Sequence, residues 1–263
     1  MLDQSLRIAA NRMQHVAGVY AEAQKQVLQS IDLLFAQIQE RGADSLSRTQ
    51  LYQYARYRIV LKDVRGGAQT IMTAQQTAVD AAVREAFVKT LGTTMDALAG
   101  AGRWTLVPDK LLDSYMSTPW SGKNFSKRIW TNTNKLARDL ENHMRDMIVN
   151  GKSSATVKQQ LAKDFGVNYE VADTLIRTEI SAVTNAANLA GFAANGNTRV
   201  RYVVDDNPCG VCLAYAMTDG GEYAIGEEPI LPAHPRCRCR YAPVNAYTAF
   251  LASQRQATGG AAT

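Results

Sequence analysis

Between residues 2 and 40, apolar side chains recur at Met13, Ala17, Tyr20, Val27, Ile31, Leu34 and Ile38, with polar Gln24 taking one slot of the series. The steps alternate between four and three residues, and only a helix lines such a series up on one side. A seam of this length cannot stay in water, because each large side chain withheld from burial forfeits about 1.5–3 kcal/mol. The chain must therefore build helix-on-helix layers from its first residues. The expected neighbours are helices at about 46–64 and 68–98. If they do not cover the full seam, the remainder would dock on a partner as a helix laid in a groove.

Further breaks set the rest of the pattern. Gly42 is expected to end the first helix, and Asp44 or Ser45 to cap the second. Gly66-Gly67 is expected to separate the second and third helices, and Gly100-Ala101-Gly102 to close the third. Pro108 suits the first turn of a short helix at 109–117, and Pro119 opens the next unit. Helices are expected at 123–149, 154–164 and 168–194, with Gly151 and Gly166 between them. After Gly196 the pattern changes: Arg199-Val-Arg-Tyr-Val-Val204 alternates as a strand does, and 205–243 is rich in Gly, Pro and Cys. The fold class expected is α+β, predominantly α-helical. The expected domains are a helical region at 1–118, a second domain at 119–252 carrying a Cys/His module at 199–243, and a disordered tail at 253–263.

Composition fits a folded chain: 46% of residues are hydrophobic and 20% charged, which excludes the low-hydropathy, high-charge regime of disorder. The formal net charge is +5. Residues 121–164 hold nine Lys or Arg against four acids, and nine minus four equals that whole excess. Such a segment reads either as a solvated helix face or as a surface for phosphate or another partner. The opening residues MLDQSLRIAANRM lack the apolar core of a secretory signal, and no stretch approaches the ~18–20 apolar residues of a membrane span. The expectation is a chain made in a cytoplasm, soluble and without membrane contact.

All four cysteines fall between residues 209 and 239. Cys209-x-x-Cys212 is followed by His234-Pro-Arg-Cys237-Arg-Cys239, which gives five candidate ligands for the four positions of tetrahedral zinc. Cys209, Cys212 and Cys237 are the preferred three, with His234 or Cys239 as the fourth. Arg236, Arg238 and Arg240 would favour the thiolate forms. The alternatives are disulfides, buried free thiols and, least favoured, a reactive cysteine with His234 as its base.

Other motifs carry less. Asn150-Gly151-Lys152-Ser153 ends like a phosphate-binding loop, but Asp146 stands where that loop needs glycine, and the segment lies between helices. A Gly stop followed by a Ser cap explains it. His15 and His143 are isolated. Arg177-Thr178-Glu179 is, by itself, an ordinary helix turn.

Taken in order, several features resemble the phage Mu F-like head-morphogenesis family of minor head proteins. They are Arg177-Thr178-Glu179, Asn185, Tyr202, Asp205 or Asp206, Cys209 and Cys212, and the closing Pro232-Ala-His234-Pro235-Arg-Cys237-Arg-Cys239. The likeness covers about 150–240, and Pro119-Trp120-Ser-Gly with Phe125-Ser126-Lys-Arg128-Ile-Trp130 resembles the segment preceding that domain. Tyr202 stands where the family often has Trp. The resemblance implies a structural protein of a tailed-phage virion, at the portal vertex or in the head interior. It would act in head assembly and in DNA packaging or delivery. Its implied partners are the portal protein, with the major capsid protein as a second candidate, and packaged DNA held weakly and without sequence preference. The family domain is also distantly similar to ADP-ribosyltransferase folds, in which Arg177 and Glu179 would be the tempting pair. No glycine-rich or Ser-Thr-Ser nicotinamide pattern accompanies them, so a non-enzyme is expected. The competing readings are an ADP-ribosyltransferase delivered with the DNA and a zinc-dependent nucleic-acid-binding protein unrelated to capsids.

Overall fold

A computed structural model describes residues 2–42, 46–100, 108–117 and 124–244. In chain order these form α1 (Leu2–Glu40), α2 (Arg48–Gln53), α3 (Ala55–Ala99), α4 (Pro108–Ser117), α5 (Phe125–Val149), α6 (Ser154–Ala194), β1 (Arg199–Val203), α7 (Gly210–Met217), β2 (Glu222–Ala224) and β3 (Arg240–Pro243). The chain is predominantly helical with a small antiparallel sheet of order β2-β1-β3. No described helix is long and apolar enough to cross a membrane. The Asp44/Ser45 cap, most of the 100–102 break, Pro119, the expected boundary at 118–119 and the 253–263 tail lie outside the described residues.

The contacts divide the chain into two compact units, each assembled from separate stretches. One comprises Ala9–Ala81 and Ser121–Leu175, the other Met1–Ile8, Ala82–Trp120 and Ile176–Thr263.

In the first unit the α1 seam is buried at Met13, Val16, Tyr20, Ala23, Val27, Ile31, Leu34 and Ile38. Ala23 takes the slot assigned to Gln24, and Val16 is more deeply buried than Ala17. Among the described residues, the large apolar side chains of the expected seam, Met13, Tyr20, Val27, Ile31, Leu34 and Ile38, are all buried by the chain itself. α3 and α6 reach the seam at Gly67 beside Ala23 and at Tyr169, whose ring meets Tyr20 edge-on. The same unit buries Val60, Val64 and Ile71 of α3, Leu136, Leu140 and Met144 of α5, and Leu161 and Phe165 of α6.

Two expected breaks are absent. α3 runs through Gly66-Gly67, and α6 runs through Gly166. Each helical glycine costs about 1 kcal/mol against alanine, and the apolar residues buried on both sides outweigh that. At Gly67 the missing side chain has a use, since a Cβ there would lie 3.2 Å from the Cβ of Ala23, so glycine lets α3 approach α1 closely. The break falls at Tyr54 instead, whose extended backbone (ψ 123) separates α2 from α3. The α2 start is set by a capping box, in which Ser47 accepts from the backbone N–H of Gln50 and the Gln50 side chain accepts from the N–H of Ser47.

One polar chain crosses this apolar interior. Gln75 Nε2 donates to the Tyr20 hydroxyl at 2.6 Å, and Tyr20 donates to Asn168 Oδ1. Asn168 Nδ2 in turn donates to the carbonyl of Asn132 at 3.1 Å. Burial pushes the ionisation of Tyr20 well above the usual phenol range, so the hydroxyl stays neutral and bonded.

Ile31 is fully buried, whereas Leu33 is 49% exposed. Ile31→Ala should lower the unfolding free energy by about 2–5 kcal/mol, and Leu33→Ala should change it by no more than ~0.5 kcal/mol. Denaturant titration of both variants checks this. Equal losses would mean that α1 packs on a different face.

Candidate metal centre

The second unit places its chemistry where α6, the sheet and α7 meet. β1 pairs with both neighbours, with Val200 opposite Tyr223 and Tyr202 opposite Tyr241. Alternation sends Val200, Tyr202 and Tyr241 inward, where they pack with Phe192, Leu231 and three cysteines. α7 was not foreseen in the Gly/Pro/Cys-rich stretch. Cys209 is its N-cap residue and Cys212 lies in its first turn.

Cys237 and Cys239 arrive from the other side, on the segment leading into β3. That segment is held by one face of α6. Thr178 Oγ1 accepts from the backbone N–H of Arg236 at 3.1 Å, and Ser181 Oγ donates to the carbonyl of Cys237 at 2.9 Å. Asn185 does both: its amide nitrogen donates to the carbonyl of Cys239, and its amide oxygen accepts from the N–H of Tyr241, each at 3.3 Å. The spacing 178, 181, 185 is that of a single helix face. All three residues are buried. Asn185 thus serves the closing segment as a neighbouring strand would.

The candidate ligands converge. The donor atoms of Cys209, Cys212 and His234 lie within 4.8 Å of one another, and so do those of Cys212, Cys237 and Cys239. Cys212 belongs to both groups. Its Sγ is 3.6 Å from His234 Nε2 and 3.8 Å from Cys237 Sγ. With metal bonds of about 2.3 Å to sulfur and 2.0–2.1 Å to nitrogen, the edges of a zinc tetrahedron come to about 3.8 and 3.6 Å. A disulfide would need about 2.05 Å, and all four cysteines are free thiols.

Two further observations fit a cation. His234 Nδ1 lies 2.9 Å from the carbonyl oxygen of Pro235. A carbonyl can only accept, so the proton sits on Nδ1 and the lone pair on Nε2, the atom facing Cys212. The Tyr202 hydroxyl is buried without a hydrogen-bond partner among the described residues. Burial pushes its ionisation up, and the thiols of Cys212, Cys239 and Cys237 act on it. A thiolate at Cys212 would give that hydroxyl an acceptor.

Without a cation, burial favours the neutral thiol at Cys212, which it raises to about 12, and at Cys239, which it also raises. Cys209 is lowered, first because the backbone N–H of Cys212 points at it. Of the arginines expected to favour thiolates, Arg238 is paired with Asp205 instead, its guanidinium 2.6 Å from the carboxylate.

The residues carried by the family resemblance divide clearly. Thr178, Asn185 and Tyr202 meet the closing motif, while Glu179 is only 2% exposed. Ser181 was missed, although the series Thr-x-x-Ser-x-x-x-Asn on a buried, otherwise apolar helix would have marked it. No family model, curated protein or solved structure matches this chain.

Asn185→Ala should leave two buried backbone groups unmatched, at about 1–3 kcal/mol each. The check is amide exchange across 236–243, where protection should fall by at least tenfold while α5 amides keep theirs. Unchanged protection at Tyr241 would show that Asn185 does not hold β3.

Proposed function

We propose that this chain is a structural, non-enzymatic minor head protein of a tailed phage, of the Mu F-like kind. On this reading its C-terminal module is locked by one zinc ion, with Cys209, Cys212, His234 and Cys237 as ligands. The observation that carries the reading is the meeting of Thr178, Ser181 and Asn185 with the segment bearing Cys237 and Cys239. The features that make the sequence resemble that family form one physical contact, as expected of a motif that specifies a fold.

A zinc ion bound here supplies folding free energy and no reaction. The protein's own groups do the rest: Pro235 fixes the histidine tautomer, the N-terminal turn of α7 presents Cys209 and Cys212, and Asn185 aligns the closing strand. Cys237 is taken as the fourth ligand because its Sγ lies 3.8 Å from that of Cys212, the edge expected of a zinc tetrahedron. Cys239 is read as a thiol beside the site.

Burial of Glu179 supports the non-enzymatic reading. A carboxylate that must touch a nucleotide and its acceptor needs access, and this one is enclosed within α6 and its neighbours. Any likeness to an ADP-ribosyltransferase is then one of ancestry and architecture. The portal vertex or head interior is the proposed location, with the portal protein and packaged DNA as partners. The α1 seam is occupied within the chain, so attachment falls to an outer surface.

Protein purified without chelator should carry one zinc per chain by elemental analysis. Cys237→Ser should lose the metal, and Cys239→Ser should retain it. Binding should weaken as pH falls, because protons compete for the same sulfur and nitrogen atoms. A metal-free protein with an intact near-ultraviolet spectrum would overturn the zinc lock. Transfer of ADP-ribose from NAD should be undetectable, and labelling abolished by Glu179→Gln would overturn the non-enzymatic reading. Absence of the protein from purified virions of its phage would overturn the head-protein reading.

A further inference from the structure

The outer face of the small sheet is charged in a way the module's composition does not suggest. Residues 199–244 hold five arginines, no lysine and six acids, so five minus six gives −1. Three of the five arginines nonetheless share one surface. With Val200, Tyr202 and Tyr241 pointing inward, Arg199, Arg201 and Arg240 share the opposite face, together with Glu222 of β2. Arg199 and Arg240 are exposed and the other outward positions, 201, 203, 222, 224 and 242, are half-buried, so no described element buries this face.

Its balance is positive. Glu222 is the one acid on the face, and it serves two arginines: it pairs with Arg201 and lies 4.0 Å from Arg199. Three cations against one anion leave +2. The register sets the spacing. Arg199 and Arg201 are two residues apart on one strand, about 7 Å. Arg240 lies opposite Val203 and is therefore diagonal to Arg201, at about 7–8 Å.

We infer that this arginine face is a contact surface for the phosphate backbone of nucleic acid. The class of partner follows from what the face holds and lacks. Guanidinium groups bind phosphate through paired N–H donors, and a regular row of them matches a repeating anion. A protein partner would call for an aromatic or large aliphatic anchor at the centre. Here the remaining outward residues are Val203, Ala224 and Ala242. Such contacts read no sequence, because they touch no base edge.

This inference rests on the reading of DNA as a partner and moves its main contact from the basic 121–164 segment to the sheet. The test is fluorescence anisotropy of full-length, zinc-loaded protein on a duplex of arbitrary sequence, titrated with salt. Loss of two phosphate contacts in R199Q/R240Q should lower the slope of log affinity against log salt by about 2 and the affinity at 0.1 M salt by roughly tenfold to a hundredfold. E222Q should raise affinity, and K127Q/R138Q on α5 should leave the slope unchanged. Zinc content and the near-ultraviolet spectrum confirm that each variant is folded. Binding that survives R199Q/R240Q, or that is lost in K127Q/R138Q instead, overturns the sheet-face site. A wild-type protein that binds no duplex at low salt overturns the reading of DNA as a partner. Polyglutamate bound as tightly as DNA overturns nucleic acid as the ligand in favour of an acidic protein.

Discussion

The pairing of Asn185 with the carbonyl of Cys239 and the N–H of Tyr241, on either side of Arg240 at the start of the closing strand, is the constraint on which the C-terminal module depends. The segment from Ile225 to Cys239 has no regular secondary structure. Left to itself it would lose much of its conformational entropy on folding for little apolar gain. Asn185, helped by Thr178 and Ser181, gives this segment an address on a rigid helix. The address decides which side chains face inward: Cys237, Cys239 and Tyr241 are buried, and Arg238 and Arg240 are exposed. The ligand cluster and the basic outer face are two results of one alignment, since a slip by a single residue would exchange them.

The module's core explains why a metal suits it. Its buried cluster comprises Phe192, Val200, Tyr202, Leu231 and Tyr241 with three cysteines. Five large apolar or aromatic side chains are few for a unit with so much irregular chain. The cysteines stand where a larger domain would place leucines, and a cation joining them would replace dispersion contacts with a few strong bonds.

Much of this was legible in the sequence, and the misses share a cause. The α1 seam, the β1 strand and the five converging ligands were all visible, because each depends on local spacing. Gly66, Gly67 and Gly166 misled, because a local helix-breaking tendency of about 1 kcal/mol was overruled by burial that no local pattern reveals. The kink at Tyr54 carries neither glycine nor proline, so nothing nearby announced it. α7 was hidden because its eight residues are too few to show a period. The roles of Thr178 and Asn185 could not be read before the chain had folded, since their partners lie 54 to 58 residues away. Charge was legible only as a total. The sequence excess in 121–164 is partly met by an acid from outside the segment, as at Lys158 with Asp32, whereas a nearly neutral module gathers three of its five arginines on one face.

The polar chain from Gln75 through Tyr20 to Asn168 has a consequence for uniqueness. An apolar seam of fours and threes is nearly periodic, so sliding one helix by two turns would match large side chains to large pockets almost as well. Tyr20, Gln75 and Asn168 break that periodicity, since each occurs once along its helix face and a slid helix would strand all three away from water. Such a network contributes little net stability. It acts as a vernier, rejecting every axial phase but one, so that α1, α3 and α6 lock at a single mutual offset in this unit.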